Sequence, residues 1–188
     1  MEKVELQEAS PALKETVTQL DDKKRAWAFE GFQWGFLSTV QLASRSFIEK
    51  LYSIWLVAGH EIGHEAVIRS EGGFVKSVTV IPGDNYLGLT SWVPDLNQGE
   101  DAVMGQVVAA SHGGEIAEGF LDQHDHSGCT SDRGKGRFFS SLLARVSGDS
   151  AGNVLSKFRS RAHQAVSDFG IQNLRHRSWL LATQGTLA

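Results

Sequence analysis

Cys129 is the only cysteine in the 188 residues, so no intramolecular disulfide can form. No apolar run approaches the roughly 20 residues that cross a bilayer, and the most apolar stretch, Leu51 to Gly59, falls far short of it. Positive charge is not in excess. The formal net charge is −4, which offers no broad attraction to nucleic acid or anionic lipid, and no nucleic-acid partner is expected. The first ten residues lack the basic and apolar regions of a secretory signal, so a cytoplasmic location is expected. No GxxxxGK[ST] phosphate loop occurs. Gly134 to Phe139 (GKGRFF) lacks both the upstream glycine and the Ser/Thr, and no nucleotide-binding site is expected. With no repeat and no Pro/Gly/Ser-rich linker, residues 1–188 read as one domain, with residues 1–36 as an N-terminal helical arm.

What is present is an ordinary globular composition, 41% hydrophobic and 21% charged, with apolar residues spaced mainly for helices. Ser10 reads as a cap before Pro11, with Leu13, Val17 and Leu20 on one face of a helix that ends near DDKKR. The aromatic run Trp27, Phe29, Phe32, Trp34 and Phe36 reads as core rather than as a partner surface. One helix is predicted over Ser46–Arg69, then a hairpin from FVKSVTVIP and YLGLTSWVP around GDN. A second long helix follows from Glu100 to Gln123. The polar, Gly-rich HDHSGCTSDRGKG then reads as a loop, before amphipathic helices over Phe138–Val146 and Val154–Phe169.

The chemistry concentrates in HEIGH, His60 to His64, late in the first long helix. Residues four apart on a helix lie one above the other, so His60 and His64 can direct ring nitrogens at one metal ion. Glu61 flanks the place where a water would sit and can take its proton as general base. A third ligand must come from elsewhere. His112, Glu115, Glu118, His124, Asp125, His126, Cys129 and Asp132 all compete for that place, and spacing does not choose among them. The HExxHxxGxxH continuation is absent, because Val67 replaces the glycine.

Four segments, HEIGHEAV, VKSVTVIPGDNYLGLT, HGGEIAEGF and SGCTSDRGKG, resemble in order and rough spacing the peptidase domain of FtsH-type ATP-dependent zinc metalloproteases. The resemblance implies a mainly α, helical zincin domain with a small β-hairpin next to the active-site helix. It implies Asp132 as the third zinc ligand, and Glu118 as a carboxylate that orients a ligand histidine by accepting its other N–H. A helix-surface carboxylate is the equal alternative for Glu118. By the same resemblance SVTVI becomes the strand that could pair with an extended substrate, with an ordinary packed strand as the equal alternative. Cys129 becomes structural, and His112, His124 and His126 become solvated or loop-packed.

The departures are as plain as the matches. The chain shows no ATPase module, Gly119 replaces a family glutamate, Glu115 stands in place of an arginine, and Arg133 in place of a leucine. The function implied is a zinc metalloendopeptidase, ATP-independent in itself, acting on unfolded or flexible polypeptide. A homo-oligomer, or a separate ATPase or adaptor partner, would accompany it. A catalytically silent, zinc-binding regulatory or scaffold protein is the alternative.

Overall fold

The computed structural model describes residues 10–121 and 129–188. They are mainly helical, with one small three-stranded antiparallel sheet. Two compact units divide at Trp55/Leu56, and the long helix α4 (Arg45–Ser70) contributes residues to each.

In the first unit, α1 (Pro11–Gln19) is capped by Ser10, whose hydroxyl accepts from the Leu13 amide at 3.3 Å, with proline at its start. This helix ends at Gln19, just before DDKKR, as expected. Asp21 then caps a new one, α2 (Asp22–Gln33), by accepting from the Lys24 amide at 2.9 Å. Arg25 reaches back to donate to the carbonyls of Val17 and Leu20 at the end of α1. A single turn, α3 (Thr39–Leu42), is closed by a Ser38–Gln41 capping box. The aromatic run supplies core, as expected, chiefly through Trp27. Its ring meets Tyr52 and Trp55 at 5.1 and 5.9 Å in edge-on contacts.

In the second unit, two helices form the centre: the part of α4 beyond Leu56, and α5 (Glu100–Phe120). Every residue from Ala58 to Ile68 is buried, and so is almost every one from Gly105 to Glu118. A helix covered on all sides has no solvent face, so small and apolar residues fill both stretches around the buried polar residues His60, Glu61, His64, Glu65, Gln106, Ser111, His112 and Glu118. They touch at glycines. A Cβ on Gly63 would overlap the Gly113 carbonyl oxygen, and a Cβ on Gly113 would overlap Gly63 in return.

Around them pack α6 (Cys129–Ser147), α7 (Ala151–Phe169) and α8 (Ile171–Gln184). Val108, Leu143, Ala144 and Val154 form a buried cluster among α5, α6 and α7, with Phe139, Leu155 and Phe158 against it. Gly170, at φ 83°, turns α7 into α8. Glu65, 1% exposed, accepts from both Arg69 and Arg177, so α8 is tied to α4 by an ion pair whose carboxylate is buried.

The predicted loop over HDHSGCTSDRGKG is corrected from Cys129 onward, where α6 begins. Gly134 and Gly136 read as helix breakers, but Gly136 is buried against α5, and a Cβ there would overlap the Ser111 hydroxyl. Close packing outweighs helix propensity at that point.

The hairpin is β1 (Phe74–Thr79) and β2 (Leu89–Val93), joined by an irregular register between Val75 and Ser77. A third strand, β3 (Thr186–Leu187), pairs antiparallel with Val78 and Thr79, giving the order β2-β1-β3. SVTVI therefore supplies the middle strand, not a free edge. The chain returning from α8 through Gly185 covers it, with the Val80 amide donating to the Gly185 carbonyl at 2.9 Å. No helix among the described residues is long and apolar enough to cross a membrane.

Candidate metal centre

His60 and His64 sit one turn apart on α4, at the level where α5 crosses it. Their Nδ1 atoms face acceptors on α5: His60 Nδ1–H donates to Glu118 Oε1 and His64 Nδ1–H to the Ala110 carbonyl, each at 2.7 Å. A carboxylate and a carbonyl can only accept, so these bonds put the ring proton on Nδ1 and leave a lone pair on each Nε2. Gly114 makes room for this, because a Cβ there would overlap the His60 ring.

Asp132 comes from the first turn of α6. Its Oδ2 lies 3.3 Å from both Nε2 atoms, which are themselves 3.0 Å apart. Burial is the largest influence on its pKa and pushes it up. When His60 and His64 also carry a proton on Nε2, their hydrogen bonds and charges together pull harder, and hold the carboxyl well below the usual carboxylate range.

Three lone-pair atoms thus converge on one point with no donor of their own. His60, His64 and Asp132 form a group that could hold a metal ion, their ligand atoms all within 4.8 Å of one another. Tetrahedral bonds of about 2.0–2.1 Å put neighbouring ligand atoms about 3.3–3.4 Å apart, close to the separations here. The donor set fits a divalent ion that accepts imidazole and carboxylate.

Glu61 is buried beside this group. The Thr90 hydroxyl on β2 lies 2.7 Å from Glu61 Oε2 and 3.0 Å from the Glu61 carbonyl oxygen. Gly88, just before β2, lies against Glu61 from the same side: a Cβ there would come within 2.7 Å of Glu61 Cγ and 3.0 Å of Oε1. Lys135, one turn along α6, reaches the other oxygen of Asp132 at 3.5 Å.

Of the five residues expected at the site, His60, His64, Asp132 and Glu118 are joined by contacts, and Glu61 follows His60 on α4. Glu118 is no surface carboxylate: it is 3% exposed and engaged with His60. Of the competing ligands, His124, Asp125 and His126 lie outside the described residues, as does the Cys129 side chain. His112 is neither solvated nor in a loop. It lies 5% exposed on α5, and its two ring nitrogens find no hydrogen-bond partner among the described residues. Burial, then the charge of Arg159, holds its pKa below the ordinary histidine value.

Glu115 points instead to two guanidiniums, Arg133 Nε and Arg159 Nη2, each at 3.1 Å. Two departures from the family pattern, Glu115 and Arg133, are thus partners. The hydrogen bond from Arg133 is the main cause of the lowered Glu115 pKa.

Ala110, Gly88, Thr90 and Lys135 escape a reading of the sequence as site residues. Gly88 and Thr90 stand within a segment that carries the resemblance, but a contact between strand and helix leaves no spacing to read. Compared with known proteins, the chain matches no family model and no curated protein.

Proposed function

We propose that the chain is a zinc metallopeptidase with the helical arrangement of the FtsH-type peptidase domain, hydrolysing peptide bonds in unfolded or flexible polypeptide. The convergence of His60 Nε2, His64 Nε2 and Asp132 Oδ2 beside Glu61 carries the reading. Zinc in such a set, when bound, supplies a Lewis acid that polarises a peptide carbonyl and lowers the pKa of water to about 7.

The chain's own residues do the rest. Glu118 and the Ala110 carbonyl hold the two imidazoles in the tautomer that presents Nε2. Glu61 takes a proton from the attacking water as the new C–O bond forms, and returns it to the amine nitrogen as the C–N bond breaks. A pure scaffold would have no use for a buried carboxylate beside the ligands with an oxygen left over to receive that proton.

The test is Glu61→Gln. Zinc content is expected to match wild type, while cleavage of an unfolded reporter such as casein falls by at least about a hundredfold, at the low end of what a positioned general base contributes. Full cleavage by this variant would remove Glu61 as the base. Stoichiometric zinc in a wild-type protein that cleaves no member of a broad peptide library would replace the peptidase reading with a zinc-holding scaffold.

A further inference from the structure

We propose that the hairpin is part of the catalytic machinery: Thr90 and Gly88 clamp the Glu61 carboxylate, so that Oε2 is held by the strand and Oε1 is left to exchange the proton. The role given to Oε1 rests on the peptidase reading above; the clamp itself does not.

A glutamate side chain has three rotatable bonds, and a base that swings among rotamers spends little time aimed at a water. Next to the metal ligands, the Glu61 backbone is fixed by its place in α4, and two contacts from outside the helix fix the rest. The Thr90 hydroxyl is 2.7 Å from Oε2, the length of a charge-assisted O–H···O⁻ bond, against 3.0 Å to the Glu61 carbonyl. A hydroxyl has one proton, and the shorter contact with the ionised acceptor takes it. The second contact is steric. Gly88 leaves room for Glu61 Cγ and for the Val57 side chain, where any Cβ would approach within 2.7 and 2.8 Å. The side chain can neither lean toward β2 nor rotate Oε2 away without losing its donor.

The two carboxylate oxygens thereby become unequal. Oε2 already accepts the hydrogen bond from Thr90. Oε1 has no hydrogen-bond partner among the described residues, which makes it the oxygen that receives the proton and later gives it up. Thr90 acts through Glu61 and is a positioning residue. The hairpin's place beside α4 then has a reason in the chemistry as well as in packing.

Two measurements separate this inference from the reading it rests on. In the zinc-loaded full chain, Thr90→Val keeps the shape and removes the donor. It is expected to lower kcat on an unfolded reporter by ten- to a hundredfold, with KM within about twofold and zinc content unchanged, and Thr90→Ser is expected to recover most of the loss. Wild-type kcat in Thr90→Val, or no recovery in Thr90→Ser, overturns the positioning role. The second measurement needs no activity: a double-mutant cycle of Thr90→Val and Glu61→Ala in the unfolding equilibrium of the zinc-free protein. A coupling of fivefold or more in the folding constant supports the clamp even if no substrate is ever cleaved. Additive effects overturn it, whatever the wild-type activity proves to be.

Discussion

A buried imidazole with no hydrogen-bond partner is costly, and on α5 both ring nitrogens of His112 lack one among the described residues. Its pKa is lowered in the folded chain, by burial first, so the unfolded chain binds a proton at His112 before the native state does. Stability contributed by the neutral ring is therefore complete above the unfolded value of about 6.5 and is lost as pH falls from there toward the lower folded value. Leucine at this position keeps most of the volume and has nothing to protonate. His112→Leu is expected to be neutral or mildly stabilising at pH 7.5, and more stable than wild type by about 1 kcal/mol at pH 5. Urea unfolding of both proteins at the two pH values reads the difference. An equal gap at both would show that protonation of His112 does not contribute. The contrast with Glu118 on the same helix is instructive: there a fully buried polar group is bonded to His60, and its burial is part of the site.

Between elements, the contact that places the site is the crossing of α4 and α5 at Gly63 and Gly113. A methyl at Gly63 meets a backbone carbonyl and the Ala117 Cβ, neither of which can rotate aside, so the helices must part. Gly63→Ala is expected to destabilise the fold by about 2–3 kcal/mol, the range for forcing extra volume into a packed core, and to weaken metal binding at the same time. Thermal unfolding and a zinc titration check the two halves of that statement; an unchanged midpoint would mean the helices slide past each other freely. Most elements were legible before the structure, because α4, α5, α7 and the hairpin each carry an uninterrupted apolar period. The start of α6 was not, since its glycines follow the demand of Ser111 and the neighbouring helix rather than any local preference. Nor was α8 assigned, or β3, a strand of two residues that exists only because β1 offers it an edge. For the site, the pair on one helix face was open to reading from spacing alone. Asp132 and Glu118 needed the ordered resemblance of several segments, and the Ala110 carbonyl, a backbone group, has no sequence signature at all.

At the scale of the molecule, the metal group joins elements far apart in the chain. Its ligands stand on α4 and α6, the acceptors that orient them stand on α5, and all lie in the Leu56–Ala188 unit. An ion that binds this arrangement and not the unfolded chain stabilises the fold by mass action, by about 4 kcal/mol when its free concentration is a thousand times Kd. Zinc is therefore expected to raise the unfolding midpoint of the chelator-treated protein in a dose-dependent way, and Asp132→Ala and His64→Ala are each expected to remove most of that shift. The effect has a pH sense as well. Asp132 stays ionised through the whole working range because its pKa is held low, but imidazole must be deprotonated to bind metal. The zinc-induced shift is accordingly expected to be larger at pH 7.5 than in acid, because metal binding to imidazole releases protons. A midpoint indifferent to zinc at pH 7.5, measured by differential scanning calorimetry with and without chelator, would show that the three side chains meet for a structural reason only.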